Sequence, residues 1–168
     1  MDLKLVFPTP KDADFWLKVR IQPSTQNNNP IGVLSLEDLS KQISESNQPI
    51  SKKQKTLRFF IKRENQWVGV IALKDINWNS GVGEVGYLID ESYHNQGIAS
   101  EALKQLIEIA FFDGGLNRIK ATTIVENTSS NRVLEKNGFK KEGILRQEFL
   151  VKNKLHDVIM WAVLKSDL

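Results

Sequence analysis

One segment constrains the fold of this chain more than any other. Residues 83–125 run strand, polar loop, helix, strand. "GEVGYLI" is strand-like, with Gly83 and Gly86 set in it as glycines are at a bulge or a close approach. Ile98, Ala102, Leu106, Ile109 and Ala110 then recur at helical spacing over residues 97–113, and "GGLN" stops the helix. "RIKATTIV" is strand-like again. Two strands of one sheet joined through such a helix lie parallel, and the crossover between them is right-handed in nearly all cases. The chain therefore needs a sheet with at least one parallel pair.

The segments on either side call for antiparallel neighbours. "LKLVF" alternates as a strand does, and Thr9 caps a helix predicted over residues 10–20, with Pro10 at its first position and Phe15, Trp16 and Val19 inward. "QPSTQNNNPIG" is polar and turn-rich and reads as a loop. Ser35 with Asp38 forms a capping box for a second helix that turns Leu36, Leu39 and Ile43 to one side. Pro49 lies beyond its end, and "SKKQK" is a solvated link. "TLRFFIKR" and "WVGVIALKDI" pair over the turn "ENQ", and "NWNSG" turns into the strand at 83. After the crossover come a short helix in "SSNRVLEKN", its glycine stop at Gly138, and a closing hairpin of "FKKEGILRQEFL" with "LHDVIMWAVL". No repeat or linker divides the 168 residues, a length that suits one core. The expectation is a single α/β domain over residues 1–168, with a mixed, mostly antiparallel sheet and about four helices.

Composition removes several classes of chemistry. The chain has no cysteine, so disulfides, zinc–thiolate sites and a cysteine nucleophile are excluded together. Its two histidines, His94 and His156, are far apart and form no local metal motif, so no metal is expected. No apolar run approaches the roughly 20 residues that span a bilayer, and a membrane partner is not expected. The opening "MDLKLVFPTPKDAD" lacks the basic start and apolar run of a signal peptide, which leaves a cytoplasmic location as the expectation. The net charge is +3 and the pI near 9.1, with basic residues scattered. That is a weak basis for nucleic-acid binding, but it suits an anionic ligand.

The loop before the helix has the chemistry of an anion site. A helix N-terminus presents unsatisfied N–H groups and about half a positive charge. Gly97 has no side chain, so phosphate oxygens can approach the amides of Gly97, Ile98 and Ala99. Ala99 and Ser100 keep the first turn uncrowded, and Asn95 and Gln96 add donors. The dinucleotide fingerprint needs three spaced glycines and the P-loop needs Gly-Lys-Ser/Thr; neither is present.

A third pattern fits. "HNQGIA" followed by "SEAL" resembles the acyl-CoA pyrophosphate loop of the GNAT N-acetyltransferase superfamily, Arg/Gln-x-x-Gly-x-Gly/Ala. Gly97 and Ala99 match, and His94 stands where Arg or Gln is commoner. "ENTSSNRVLEKNGF" resembles the Asn-x-x-Ser…Glu-Lys-x-Gly-Phe segment of the RimJ/RimL-type branch, which includes ribosomal-protein alanine and spermidine N-acetyltransferases. "GEVGYLIDESYHNQG" and "EGILRQEFLVKNKLHDVIMWAVL" resemble its fourth strand and closing hairpin. The resemblance covers residues 3–164.

It implies a sheet splayed between strands 4 and 5, with acetyl-CoA, a co-substrate, in the gap. Leu88 and Ile89 would offer backbone groups to the pantetheine arm. Asn127 would contact the same arm, although its place also reads as a helix cap. Ser130 would lie near the cofactor sulfur as general acid, although a first-turn serine reads equally well there. His94, Asn95, Gln96, Gly97, Ile98, Ala99 and Ser100 make up the pyrophosphate side. Glu84, at the start of the strand that lines the splay, is the candidate base, working through water; a surface glutamate is its plain alternative. Tyr87 and Tyr93 are secondary candidates for acid or for orienting water. The expected acceptor is a primary amine, with a protein N-terminal α-amine favoured. A polyamine or aminoglycoside-like amine, and a non-catalytic acyl-CoA-binding regulatory module, are the alternatives. The protein is expected as a monomer or homodimer. With no cysteine to carry an acetyl group, transfer is expected to be direct.

Overall fold

The computed structural model describes residues 2–29, 32, 34–46 and 54–168. β1 (Leu3–Val6) leads through a 3-10 turn at Pro10–Asp12 into α1 (Ala13–Ile21), α2 (Pro23–Asn28) and α3 (Leu36–Ser46). β2 (Leu57–Arg63), β3 (Gln66–Asn77) and β4 (Val82–Ile89) follow as a meander, then α4 (Ile98–Glu108), β5 (Arg118–Ile124), α5 (Thr128–Lys136) and the hairpin β6 (Lys140–Val151) and β7 (Lys154–Leu164). The strands form one sheet in the order β1-β2-β3-β4-β5-β7-β6. Every pairing is antiparallel except β4 with β5. The parallel crossover expected over residues 83–125 thus joins β4 to β5, and the chain leaves neighbour order a second time after β5, where β7 takes the place beside it and β6 the edge.

Alternation in the strands creates two apolar layers. Leu57, Phe59, Ile61, Ile71, Leu73 and Val85 face α4 and the turn that ends it, where Leu103, Leu106 and Phe111 are buried in the same cluster. Phe60, Val70 and Leu88 face the other way, against Trp16 and Val19 of α1 and Leu39 and Ile43 of α3. Full burial of such side chains stabilises by about 1.5–3 kcal/mol each, which is what seats both helical layers. Among the described residues no helix is long and apolar enough to cross a membrane.

Three local features differ from the sequence expectation. The segment read as a loop after α1 contains the helix α2. Pro23 sits at its first position, Thr25 Oγ1 donates to the Val19 carbonyl at 2.7 Å, and the Ser24 N–H donates to Glu91 at 2.7 Å. These tertiary bonds outweigh the poor helix propensity of its asparagines. The first helix opens as a 3-10 turn, where the Thr9 N–H donates to Asp12 at 2.7 Å. The crossover helix ends in a π turn over Ile109–Asp113, closed by Gly114 N–H to the Ile109 carbonyl at 2.9 Å. A Cβ at Gly114 would lie 2.8 Å from the Ala110 carbonyl oxygen, so the glycine permits this ending. The capping box at Ser35 and Asp38 forms as read, with reciprocal bonds of 3.1 and 3.2 Å. Pro49 and most of the "SKKQK" link lie outside the described residues.

Candidate functional site

β4 and β5 pair over only three Cα partners, Val82 to Glu84 with Arg118 to Lys120. Beyond Glu84, β4 keeps β3 and β5 keeps β7, and the two strands separate. α4 and α5 follow β4 and β5, so both helix N-termini stand at the open end of the gap. The Asp90 N–H donates to the Val68 carbonyl at 3.0 Å, in register with the β3–β4 ladder. Bonded and non-bonded pairs alternate along such a ladder. The backbone groups of Leu88 are therefore turned to Val70, while those of Tyr87 and Ile89 face the gap. This corrects the sequence expectation for Leu88, which lines the gap without lending it backbone, and brings in Tyr87.

The loop that follows is braced from three directions. Asp90 is 1% exposed; it accepts from Lys18 at 2.6 Å, from Gln22 at 3.2 Å and from the Ser92 N–H at 3.1 Å. Burial works to raise its carboxyl pKa, but the bonds from Lys18, Ser92 and Gln22 outweigh that and hold it below the usual range. His94 Nε2 lies 2.9 Å from the Ile89 carbonyl and must donate to it, since a carbonyl only accepts. Arg63 donates to Gln96 from β2. Asn95 has φ 60° and Gly97 φ 76°, both left-handed, and Gly97 is the N-cap of α4. The turn aims the first amides of α4 into the gap, and only glycine takes up that conformation freely.

On the opposite wall Asn127 caps α5: its Oδ1 accepts from the Ser130 N–H at 3.2 Å and from Ser129 Oγ at 2.9 Å. Both of its readings meet here, since the capping residue also borders the cavity. Ser100 Oγ accepts from Asn137 at 2.9 Å, which ties the first turn of α4 to the end of α5. Thr123 Oγ1 donates to Asn131 at 2.6 Å, and Asn131 donates to the Val125 carbonyl at 3.0 Å, fixing α5 on β5. Tyr87 donates to the Ser130 carbonyl over a long 3.4 Å; burial, only partly offset by that bond, pushes its phenol up to about 12.

These walls enclose a cavity of about 490 Å³. Leu88, Ile89, all seven residues from His94 to Ser100, and Asn127 border it, so the cofactor set named from the sequence converges on one space, Ser130 excepted. Glu84 and Ser130 are not among its lining residues. Glu84 stands on the last paired rung, on the α1/α3 face of the sheet, where it accepts from Thr122 Oγ1 at 3.2 Å. Ser130 takes part through its N–H and carbonyl. Sequence reasoning missed Arg132 and the brace at Asp90. Pro23 after an extended Gln22 was the available signal for α2; for Asp90, 72 residues from Lys18, there was none.

Comparison with known proteins gives the family of the chain. The acetyltransferase (GNAT) domain family matches residues 2–140. The chain belongs to the GNAT family. It is 35% identical to the ribosomal-protein-serine acetyltransferase of Escherichia coli over 80% of this chain and 75% of that one. It is 36% identical to the uncharacterized N-acetyltransferase p20 of Bacillus licheniformis over 64% of this chain and 60% of that one. With the spermidine N(1)-acetyltransferase of Vibrio cholerae it shares 26% over 65% and 64%. Among solved structures, RimL, an α-N-acetyltransferase of a ribosomal protein held with coenzyme A, superposes with a TM-score of 0.85 at 25% identity, covering 96% of this chain and 93% of that one. Vibrio cholerae spermidine N-acetyltransferase with CoA and spermine superposes with a TM-score of 0.87 at 21% identity, over 98% and 96%. This GNAT chain is an acetyl-CoA-dependent N-acetyltransferase. Among the described residues its cavity is lined by no Asp or Glu, which suits a polyanionic ligand.

Proposed function

We propose that this GNAT enzyme acetylates the α-amine of a protein or peptide N-terminus, by direct transfer within a ternary complex. The carrying observation is the acid-free rim: the α2 region meets the cavity through Ser24, Thr25, Asn28 and Asn29, hydrogen-bonding groups suited to a peptide backbone. The 35% identical relative named for a ribosomal-protein serine points the same way.

Acetyl-CoA supplies the acyl group as a thioester. The amides of Gly97, Ile98 and Ala99 receive its pyrophosphate, and the backbone of Tyr87 and Ile89 with Asn127 orients its arm. Glu84, through water, takes the proton that the attacking amine must lose, because an α-amine is substantially protonated at neutral pH. The amine nitrogen bonds to the carbonyl carbon, the carbon–sulfur bond breaks, and Ser130 donates to the leaving thiolate. With no cysteine in the chain, no acetyl-enzyme is formed.

A polyamine acceptor is the second reading, favoured by the likeness to the Vibrio enzyme. A polyamine carries several positive charges and needs carboxylates around it. A panel of peptides with free N-termini, spermidine and an aminoglycoside, scored by CoA release, separates the two. Peptides should lead in kcat/KM, and comparable efficiency on spermidine would overturn the proposal.

A further inference from the structure

The helix α2 is not explained by its own sequence. It has six residues, Pro23–Asn28, and its one apolar residue, Pro23, is exposed. An isolated helix of that length does not hold together in water, and this one has no apolar face to seat it on the sheet. Polar bonds hold it from two sides. On the α1 side, Thr25 Oγ1 donates to the Val19 carbonyl and Gln26 Nε2 to the Arg20 carbonyl, each at 2.7 Å. On the other side stands the 3-10 turn Glu91–Tyr93. The Ser24 N–H donates to Glu91 Oε1 at 2.7 Å. Gln22, the N-cap of α2, reaches the root of the same turn twice: its Nε2 donates to Asp90 Oδ1 at 3.2 Å, and its Oε1 accepts from the Glu91 N–H at 3.1 Å.

That turn also carries the phosphate loop. The Tyr93 N–H donates to the Asp90 carbonyl at 2.8 Å, and the His94 N–H to the Glu91 carbonyl at 3.2 Å. His94 opens the run His94–Ser100 along the cavity, and Ser24, Thr25, Asn28 and Asn29 border the same cavity. Glu91 thus holds α2 with its carboxylate and the loop with its carbonyl. Its side chain is exposed, yet the bonds from Ser24 keep its carboxyl below the usual range. The bond to Ser24 is therefore charge-assisted at neutral pH, and stronger than one between neutral groups.

We propose that Glu91 and Gln22 form a joint through which occupancy of the phosphate loop tightens α2. They are positioning residues: neither touches the reacting atoms, and both act through the wall that α2 builds. That the acceptor uses this wall rests on the reading given above. When pyrophosphate oxygens engage the amides of Gly97, Ile98 and Ala99, the loop and its turn are held, and with them the anchor of Ser24. Acetyl-CoA then raises affinity for the amine, and the amine raises affinity for acetyl-CoA by the same factor. No change of shape is required, because a wall that already fluctuates less costs the second ligand less to order.

Residue-resolved amide exchange tests the joint without any acceptor. The reporters are the Gln26 and Asn29 amides, which donate to the Gln22 and Thr25 carbonyls at 3.1 and 2.7 Å. CoA should slow both by about threefold or more in wild type, and by less than about 1.5-fold in Glu91→Ala. Glu91→Gln, whose amide oxygen still accepts from the Ser24 N–H, should keep part of the effect. The acetyl-CoA thermal shift reports that each variant is folded and loaded; if Glu91→Ala is not, Gln22→Ala should show the same loss of slowing. No slowing in wild type overturns the inference, and so does slowing that persists in Glu91→Ala, since CoA would then reach α2 directly. Kinetics on the best amine of the panel then read the acceptor side. Glu91→Ala should lower kcat/KM for the amine roughly tenfold, as loss of a bond to a charged group does, and leave KM for acetyl-CoA within about threefold. An equal rise in both KM values would mean that Glu91 serves the loop alone, and overturns the inference. Coupled exchange with an unchanged kcat/KM for the amine would instead remove α2 from the acceptor site, so that the earlier reading falls and the joint stands.

Discussion

Replacing Gly97 by valine should damage the fold and the cofactor site separately, and by amounts that can be told apart. Gly97 sits at φ 76° as the N-cap of α4. A left-handed conformation costs an ordinary residue about 1–2 kcal/mol, and a β-branched residue is the poorest fit. For a chain of this size each kcal/mol moves Tm by about 2–4 °C, so the unliganded variant should melt about 2–8 °C below wild type. Acetyl-CoA at 100 times its Kd should stabilise wild type by about 2.7 kcal/mol, a rise of about 5–11 °C on the same scale. The valine side chain stands where phosphate must approach the amides, so most of that second shift should vanish. Gly97→Asn dissects the two effects, because asparagine tolerates the left-handed region yet still occupies the approach. It should melt closer to wild type without ligand and still respond weakly to acetyl-CoA. Differential scanning fluorimetry with and without acetyl-CoA measures both quantities. An acetyl-CoA shift in Gly97→Val equal to that of wild type would refute the assignment of these amides to the cofactor.

Four further outcomes are expected. Asp90→Asn should lower stability at neutral pH, and the gap to wild type should close on acidification: the folded carboxyl pKa is depressed, so its contribution is present above about pH 4, the unfolded value, and lost as pH falls through the folded one, as urea melts at each pH would show. Glu84→Gln should lower the transfer rate by roughly 10²-fold at neutral pH, with the loss shrinking as pH rises and the amine deprotonates unaided; unchanged rates would make Glu84 structural. Tyr87, pushed up to about 12, should contribute no inflection to the pH–rate profile below pH 10, so Tyr87→Phe should leave the shape of the profile intact. Initial-rate plots should intersect, and mass spectrometry of enzyme incubated with acetyl-CoA alone should find no acetylated side chain on the catalytic path.

What could be read from the chain and what could not divide along a physical line. Gly97, Ala99 and the cap at Asn127 were legible because local backbone demands select residue types at fixed offsets. The strands were legible through period-two alternation, as at Leu57, Phe59 and Ile61. The α2 helix was not, because its stability comes from Thr25 bonding to Val19 and Ser24 to Glu91, and not from its own composition. Leu88 was misassigned because which residues of a strand face a neighbour depends on pairing parity, set here by Asp90 and Val68. Glu91 gave no sign at all: a lone glutamate after a strand looks like a solvated surface residue until Ser24 is seen against it.

The three-rung contact between β4 and β5 leaves the sheet with an edge inside the molecule. Edges ordinarily invite another strand, and chains guard them with charge, proline or brevity. Here α4 and α5 stand over the opening, so no second chain can reach it, and a slender ligand can. Tyr87 and the Ile89 N–H keep the hydrogen-bonding appetite of an unfinished sheet, while the Ile89 carbonyl is taken by His94 and Leu88 between them is already satisfied by Val70. Amide hydrogen exchange should therefore alternate along this edge in the free protein, fast, slow, fast, and even out when an acyl-CoA arm is laid against it. The co-substrate then serves as a removable strand, completing the sheet on every turnover and breaking it again on every release.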